Sequence, residues 1–495
     1  MATHPPQAPQ NSCQTGVEGL DDVLRGGLPR NRLYLVLGEP GVGKTTLALQ
    51  YLLKGAELGE RSLYITLSET KAELNQVAAS HGWNLDSIEL FELSAVESKM
   101  EQSRDSTFFS PSEVELNQAT KAILEEVERY KPARVVFDSL SELRLMAETA
   151  LRYRRQILHL KQYFAGRNCT VLLLDDGTAD RAADDQVESI AHGVIMLTKT
   201  APDYGVARRQ LHVRKIRGVK FREGNHDLLM QTGGLVVFPR LVAAEHHTAF
   251  NREALSSGIP QMDALLGGGI DRGTSTVFMG PAGTGKSTLA MTFAHMAATR
   301  GEKTLFFTFD ETLGVLLARA RELGIPVDAH REKGLIQVQQ IDPAEISPGE
   351  LAFRIREAVQ RDQIRMVVID SLNGYLHAMP DERHLTLQLH ELLSFLNQQG
   401  VSSILVLTQQ GVMGTAMNSP VDLTYLADSV VLLRYFESMG AMRQAVSVMK
   451  KRSGGHERTI REFIISPTGI QVGEPLKGFH GIFSGVPSVI APPHA

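Results

Sequence analysis

The chain contains 495 residues, of which 43% are hydrophobic and 22% charged, and its formal net charge is −5. This composition is typical of soluble globular proteins and excludes a chain that is disordered throughout. The weak negative charge also excludes an overall basic field that would hold nucleic acid or an anionic membrane.

Three further features indicate a cytoplasmic protein. No run approaches the roughly 18 apolar residues that a membrane span needs. The polar amino terminus lacks the apolar core of a secretory signal. The two cysteines, Cys13 in the polar start and Cys169 before an apolar run, cannot build a disulfide framework, so we expect free thiols in a reducing compartment.

One segment of the sequence occurs twice. Residues 16–70 and 258–312 share a Gly-Gly pair, a glycine-rich loop and a later Glu-Thr at matching spacing. So long a period indicates tandem domains and not a solenoid. The first copy is the longer one, and its polar stretch 97–113 is typical of an inserted loop. The sequence therefore predicts four parts: a disordered tail at 1–14, a first domain at 15–245, a second domain at 252–480 and a short tail at 481–495.

Each copy alternates apolar runs, typical of strands, with amphipathic runs, typical of helices. In the first copy these predict, in chain order, a strand at 33–38, a helix at 45–58, a strand at 62–68, a helix near 115–130, a strand at 133–138, a helix near 150–165 and a strand at 170–175. Continuously apolar strands separated by helices predict an α/β fold, a mostly parallel sheet with helices on both faces. The alternating segments 193–240 and 429–472 predict antiparallel strands at the end of each copy.

Both copies carry the phosphate-loop pattern G-x-x-x-x-G-K-[ST] between a predicted strand and a predicted helix. Polyphosphate is densely charged, so the loop must turn backbone N–H groups inward without obstruction by side chains, which glycine permits. The helix amino terminus adds positive potential, and the lysine contacts the β- and γ-phosphates. We therefore predict two ATP sites with these residues: Gly41, Gly43, Lys44, Thr45 and Thr46 in the first copy, and Gly283, Gly285, Lys286, Ser287 and Thr288 in the second.

An aspartate ends the same apolar strand in both copies, at Asp138 and Asp370. A carboxylate there can hold the hydration shell of Mg²⁺ beside the phosphate loop, whose hydroxyl is a direct ligand. The predicted metal-binding residues are therefore Thr45, Asp138, Ser287 and Asp370. A plain strand end is the alternative, and recurrence in both copies weakens it.

A second group of acids follows the strand after each phosphate loop, at Glu69 in the first copy and at Asp310 and Glu311 in the second. Carboxylates at strand ends near a phosphate loop can polarise an attacking water or hydroxyl, so these three are the candidate catalytic residues. The alternative is that they cap the next helix and favour its dipole.

The doubled phosphate-loop domain, the paired acidic segments and the carboxyl-terminal sequence 428–487 together resemble the KaiC family of double RecA-like ATPases, in a bacterial KaiC-like form. The resemblance covers the chain from residue 16 to about 490 and implies two tandem RecA-like domains. It implies that Asp310 and Glu311 activate the attacking group in the second copy. The first copy departs from that pattern because Ser68 replaces the first acid, which puts its hydrolytic rate in doubt.

The resemblance also implies nucleotide contacts made across subunit boundaries of a homohexamer. A Lys-x-Arg pair from each copy reaches the phosphates of the neighbouring subunit, and residues two apart on a strand share one face. The residues that match these family positions are Lys215 and Arg217, Lys450 and Arg452, and His456 near the neighbouring nucleotide. Ser80 and Trp83 match positions lining the first nucleotide pocket, with core packing as the alternative for Trp83.

Finally, the resemblance implies a Mg²⁺-dependent ATPase and serine/threonine autokinase that acts as a signalling or clock-like switch. The matching phosphoacceptors are Thr424, the first choice because it keeps an aliphatic hydroxyl, then Tyr425 and Ser419. Candidate partners are KaiB-like or two-component signalling proteins, with no nucleic acid and no membrane among them. Gln409 and Gln410 end a strand where RecA-type folds often place a γ-phosphate sensor.

Two other functions compete with this one. A RecA- or DnaB-like nucleic-acid motor would use the basic residues Arg152, Arg154, Arg155 and Lys161, although they also fit one face of an amphipathic helix. The second copy has no matching basic run. A nucleotide-gated binding platform without autokinase activity is the other alternative.

Overall fold

The structure is a computed structural model that describes residues 11–93, 111–177, 187–202, 205–377, 385–409, 425–482 and 488–489, and the side chains of all of these except 111–115, 377 and 488–489. The chain divides into two compact units between Arg240 and Leu241. Each unit contains one nine-stranded sheet, and each is described by itself.

The sheet of the first unit has the strand order β11-β10-β9-β8-β3-β7-β6-β4-β5. Strands β8, β3, β7, β6, β4 and β5 pair in parallel, and β8 to β11 pair antiparallel. The central strand β3 is buried along its whole length, as expected for a sheet covered on both faces. The strands are β3 Leu33–Leu37, β4 Ser62–Thr66, β5 Glu89–Glu92, β6 Arg134–Asp138, β7 Thr170–Asp175, β8 Gly193–Thr200, β9 Arg208–Ile216, β10 Asn225–Gln231 and β11 Gly234–Phe238, preceded by the short pair β1 Ser12–Cys13 and β2 Leu28–Pro29.

Two apolar clusters cover the two faces of this sheet. One packs the helix after the phosphate loop against β3 and the antiparallel strands, and the other packs the later helices against β4, β6 and β7. The helices of the first unit are Leu20–Val23, Lys44–Glu57, Lys71–Ser80, Pro111–Tyr130, Leu140–Ala147 and Ala150–Phe164.

The second unit repeats this architecture with the strand order β16-β15-β17-β18-β14-β19-β20-β21-β22. The central strand β14 again pairs in parallel on both sides, and β19 to β22 are antiparallel. Its strands are β12 Ala254–Leu255, β13 Ile270–Asp271, β14 Ser275–Gly280, β15 Lys303–Thr308, β16 Ile336–Gln340, β17 Ile364–Asp370, β18 Ser402–Thr408, β19 Ser429–Ser438, β20 Ala441–Lys451, β21 Arg461–Ser466, β22 Gly469–Pro475, β23 Phe479–His480 and β24 Ser488–Val489. Its helices are Pro260–Leu265, Lys286–Thr299, Leu313–Glu322, Val327–Glu332, Pro348–Arg361, Leu372–His377 and Leu385–Gln398, with a short 3-10 turn at Ala243–Glu245.

The predicted fold class is confirmed: each unit is a mostly parallel sheet with antiparallel strands at its end. The predicted strands and helices of the first copy agree with the observed elements to within a few residues. The edge strand β5 and the helix at Leu140–Ala147 were not predicted, and the helix at Lys71–Ser80 was expected only in the alternative role of Glu69 as a helix cap. The inserted loop expected at 97–113 lies largely outside the described residues, and its last residues open the helix Pro111–Tyr130.

Ordered structure extends beyond the predicted ends of both domains. Ser12 and Cys13 are not part of a disordered tail, because they pair with β2 and the Cys13 side chain is fully buried beside Tyr51. Burial raises the pKa of the Cys13 thiol. At the other end, Ile482 packs into a small apolar cluster, and β24 pairs with β23, so ordered structure continues past residue 480. Such short pairings carry too little periodicity to be recognised in sequence.

The helices in the described part of the chain are too short or too polar to cross a membrane.

Candidate functional site

The two phosphate loops lie at the carboxyl ends of the central strands β3 and β14, where each strand leads into a long helix. The last loop glycine is left-handed in both copies, with φ of 111° at Gly43 and 90° at Gly285. A Cβ at Gly285 would lie 2.3 Å from Cδ1 of Ile465. Only glycine therefore fits the backbone conformation and the space that the second loop requires.

In the first site the lysine and the hydroxyl of the loop contact two carboxylates. The Lys44 ammonium donates to the Gly38 carbonyl at 2.7 Å and lies 2.7 Å from Oδ1 of Asp176. The Thr45 hydroxyl donates to Oδ2 of Asp138 at 3.0 Å, and the Tyr64 hydroxyl donates to the same oxygen. Burial raises the pKa of Asp138, an effect that these two hydroxyls oppose.

In the second site the loop opens onto a cavity of about 760 Å³. Lys286 donates to the Pro281 carbonyl at 2.6 Å, and burial lowers the pKa of this lysine to about 8. Burial raises the pKa of Asp370 to about 6, against the effect of its hydrogen bond with Ser287. A strongly buried lysine beside a buried carboxylate is the arrangement expected where a bound polyphosphate and metal would compensate the desolvation of both groups.

The candidate catalytic acids of the second copy line this cavity. Asp310 accepts a hydrogen bond from the Ser371 hydroxyl. Glu311 forms a two-pronged ion pair with Arg319, with distances of 3.0 and 2.8 Å. The Thr308 hydroxyl donates to the Glu311 carbonyl at 2.8 Å and so fixes the turn that carries Asp310 and Glu311.

Glu69 occupies the corresponding place in the first copy without such a pair. The Thr66 hydroxyl donates to the Glu69 carbonyl at 2.7 Å, as Thr308 does to Glu311 in the second copy. Oε2 of Glu69 is buried and accepts no hydrogen bond from the residues that the structure describes. Burial, with the Asp138 charge nearby, raises the pKa of Glu69. A buried carboxylate left without a donor is costly and is typical of a functional group.

The alternative role of these acids as helix caps does not fit the structure. The helix Lys71–Ser80 is capped by Thr70, whose side chain accepts from the Glu73 backbone N–H in a capping box. Thr312 caps the corresponding helix of the second copy. Glu69 and Glu311 therefore lie one residue ahead of the capping threonines and do not cap these helices themselves.

The two Lys-x-Arg pairs make equivalent contacts in the two copies. Lys215 and Arg217 donate to the carbonyls of Glu188 and Ser189, the latter at 2.7 Å. Lys450 and Arg452 donate to the carbonyls of Ala427 and Tyr425, at 2.8 and 2.6 Å. Lys450 and Arg452 are not among the residues that line the cavity around Lys286 in their own chain.

The first of these pairs belongs to a cluster of positive charge. Burial lowers the pKa of Lys215, and the adjacent Arg217 guanidinium lowers it further. Burial and Arg217 likewise lower the pKa of Lys161. The Arg32 guanidinium donates to the Arg217 carbonyl and adds a fourth cation. Like charges held together in this way are relieved by an anion.

The remaining predicted residues are placed as follows. The exposed Ser80 turns its hydroxyl back onto the Val77 carbonyl at 2.7 Å. Trp83 packs against the core, and His456 is half-buried in the segment between β20 and β21. Gln409 is buried, and its Oε1 accepts no hydrogen bond from the described part of the chain. Tyr425 is exposed; Ser419, Thr424 and Gln410 lie outside the described residues.

Sequence reasoning missed three residues that contact these sites. His81 lies 3.5 Å from the Thr46 hydroxyl and stacks on Trp83 at 4.7 Å. Arg319, in the helix Leu313–Glu322, pairs with Glu311 ahead of that helix, and Asp176 contacts Lys44. Asp176 follows the predicted strand 170–175, so the rule that located Asp138 at a strand end was also available for Asp176.

Taken together, the tandem sheets, the phosphate loops and the acids at the strand ends define a double P-loop nucleoside triphosphatase with RecA-like domains. The family model described as the KaiC ATPase matches residues 13–242 and again residues 255–477. The chain therefore belongs to the KaiC ATPase family.

Similar proteins carry names from the circadian clock. The chain is 27% identical over 485 residues to the circadian clock oscillator protein KaiC of Parathermosynechococcus lividus, an alignment that covers 96% of this chain and 88% of that protein. It is 28% identical over 480 residues to the KaiC of a Prochlorococcus marinus strain, with 96% and 93% covered. It is 26% identical over 491 residues to the circadian clock protein KaiC3 of a Synechocystis strain, with 97% and 95% covered.

Gly374 offers a test of the position of Asp310. A Cβ at Gly374 would lie 2.6 Å from Oδ1 of Asp310, so Gly374→Ala displaces this carboxylate without removing it. In a chain whose first site is silenced by Lys44→Ala, we expect Gly374→Ala to lower phosphate release roughly 10- to 100-fold, because catalysis is sensitive to displacements of this size.

The matched control is Gly314→Ala, because a Cβ at Gly314 would meet nothing within 4 Å. This variant should hydrolyse ATP at the parental rate. Equal rates for the two variants would contradict the placement of Asp310 in the catalytic machinery.

Proposed function

We propose that this protein is a Mg²⁺-dependent ATPase and serine/threonine autokinase that assembles into a ring and acts as a signalling or clock-like switch in the cytoplasm. The observation that carries this proposal is the second site, where a buried phosphate-loop lysine, a hydroxyl–aspartate pair and two further acids surround one cavity. Membership of the KaiC ATPase family supports ATP as the nucleotide.

The donor set at each loop fits Mg·ATP. The backbone of each glycine-rich loop would cradle the phosphates, with Lys44 or Lys286 at the β/γ position. Thr45 with Asp138, and Ser287 with Asp370, would hold Mg²⁺ through a hydroxyl and a carboxylate, the hard oxygen ligands that this ion prefers. When bound, the ion neutralises charge that develops on the phosphate oxygens.

The acids at the strand ends then orient the attacking group. In the second site Asp310 and Glu311 face the cavity, so either can accept the proton of a water or of a hydroxyl. Arg319 holds both oxygens of Glu311 and thereby fixes its direction. In the first site Glu69 is the corresponding acid, and burial raises the pKa of its carboxyl, which makes the carboxylate a stronger base.

The proposed ring assembly is based on the two Lys-x-Arg pairs. Lys450 and Arg452 lie away from the cavity of their own chain, and the cluster around Lys215 and Arg217 is a cationic surface. A neighbouring subunit that presents its nucleotide phosphates to these residues would add a dense negative charge to them. ATP would then stabilise the assembly by linkage, as any ligand shared between subunits does. We propose a homohexamer with nucleotide sites completed in this way.

Removal of the basic pairs should therefore weaken the ring. Lys215→Ala/Arg217→Ala and Lys450→Ala/Arg452→Ala should each shift native mass spectra from hexamer towards monomer at micromolar concentration in Mg·ATP. The matched control is Lys333→Ala/Arg361→Ala, which removes two exposed cations of the second unit and should leave the hexamer intact. A wild-type monomer in saturating Mg·ATP would contradict the assembly.

The autokinase proposal concerns the hydroxyls ahead of β19. Thr424 is the proposed acceptor, with Tyr425 second and Ser419 third. The Arg452 guanidinium holds the Tyr425 carbonyl at 2.6 Å, so a basic pair proposed to meet a neighbour's phosphates is tied to the residue next to Thr424. Phosphate on Thr424 would add nearly two negative charges to this part of the sequence, which can alter the packing between subunits.

Phosphopeptide mapping after incubation with Mg·ATP tests this activity. We expect phosphate on Thr424, loss of most of the label in Thr424→Ala, and retention of the label in Ser419→Ala. Lys286→Ala, which disables the second site, should abolish labelling, whereas Lys44→Ala should not. Absence of phosphate between residues 415 and 429 would leave an ATPase without autokinase activity.

The competing functions have less support in the structure. Of the basic residues that suggested a nucleic-acid motor, Arg152 pairs with Glu148 at 3.4 Å and Lys161 donates to the Ile190 carbonyl at 2.8 Å. A binding platform without turnover would not need the Asp310 and Glu311 acids at the cavity. KaiB-like or two-component signalling proteins remain the proposed partners.

A further inference from the structure

Each site has one acid that the other lacks, and these two acids follow different strands: Asp310 follows β15 and Asp176 follows β7. Pairing along the central strands makes the comparison direct, because Leu33 lies opposite Val171 in the first unit and Ser275 lies opposite Ser403 in the second. By this register, Asp176 at the end of β7 corresponds to Thr408 at the end of β18. The first copy therefore lacks an acid at Ser68 but has one at Asp176.

Asp176 makes two contacts in the first site, and a third contact extends from one of its partners. Its Oδ1 lies 2.7 Å from the Lys44 ammonium, and its Oδ2 accepts from the Ser141 hydroxyl at 3.0 Å. The Ser141 hydroxyl lies 2.7 Å from the hydroxyl of Ser139, the residue that follows the metal-site aspartate. Asp176 thus links the phosphate-loop lysine to the serine beside Asp138.

The second site links the equivalent serine to a carboxylate by a different route. Ser371, which follows Asp370, donates directly to Asp310 on the neighbouring strand end. Asn373 takes the place of Ser141 and holds the backbone of Thr408, with hydrogen bonds of 2.9 and 2.7 Å. The serine after the metal-site aspartate therefore reaches a carboxylate in both copies, although the carboxylate comes from β15 in one and from β7 in the other.

We propose that Asp176 is a positioning residue of the first site. It supplies, after β7, a carboxylate that the first copy lacks after β4, where Ser68 stands in the place of Asp310. This role rests on the proposed hydrolysis of ATP at that site. Asp176 holds Lys44 where the β- and γ-phosphates bind and orients the Ser139 hydroxyl through Ser141. It accepts no proton from the attacking water, which leaves Glu69 as the acid that does.

A purely inhibitory contact would have the opposite consequence. A carboxylate that only occupies the Lys44 ammonium would compete with the phosphates and repel them, so its neutralisation would tighten ATP binding and raise turnover. A positioning residue instead acts on the rate of the chemical step. The direction of the change in turnover, measured together with affinity, therefore separates the two roles.

The experiment uses the full chain with Lys286→Ala, so that phosphate release comes from the first site. Adding Asp176→Asn should lower kcat at least 10-fold, while the equilibrium affinity for a slowly hydrolysed ATP analogue changes less than threefold. Adding Ser68→Asp to Asp176→Asn returns an acid to the strand end used in the second copy, and should restore at least a third of the lost rate. The exposed carboxylate Asp86 gives the matched control, Asp86→Asn, with unchanged kinetics.

Two readouts keep the test decisive. Trp83 is the only tryptophan of the chain and lies in the first unit, so its fluorescence during urea unfolding reports whether each variant folds. Unchanged kcat in Asp176→Asn, tighter binding with faster turnover, or failure of Ser68→Asp to restore the rate would each overturn the positioning role. Failure of the proposed function looks different, because Lys286→Ala would then release no more phosphate than Lys44→Ala/Lys286→Ala before Asp176 is changed.

Discussion

The parallel pairing of the central strands is the constraint on which both sites depend. Parallel strands bring their carboxyl ends to one edge of the sheet, so residues far apart in sequence meet there. Thr45 after β3 and Asp138 at the end of β6 come within 3.0 Å in this way. The helix that follows the central strand begins at the same edge and directs its amino terminus at any bound phosphate.

Duplication of this frame leaves two sites with the same loops and different surroundings. Lys286 has a cavity around it and a pKa lowered to about 8 by burial, whereas Lys44 is paired with Asp176. Glu311 forms an ion pair with Arg319, whereas a buried oxygen of Glu69 accepts no hydrogen bond among the described residues. Under the proposed function, these differences would give the two ATP sites of one chain different rates.

The sequence predicted features whose signal lies within one short segment, and it did not predict contacts between segments that are distant along the chain. Apolar runs and glycine spacing predicted the central strands, the loops and the aspartates at Asp138 and Asp370, because each signal lies within a short segment. The His81 contact with Thr46 and the short strand at Ser12–Cys13 depend on distant segments that pack together. A two-residue strand has no periodicity, and a single histidine has no pattern that identifies its partner.

Equilibrium binding of Mg²⁺ with a slowly hydrolysed ATP analogue tests the central claim, that each copy forms its own nucleotide site. The wild-type chain should bind two equivalents. Lys44→Ala and Lys286→Ala should each bind one, because each removes the charge that faces the β- and γ-phosphates in a single copy. The double variant should bind none, and a double variant that keeps wild-type affinity and stoichiometry would contradict the account.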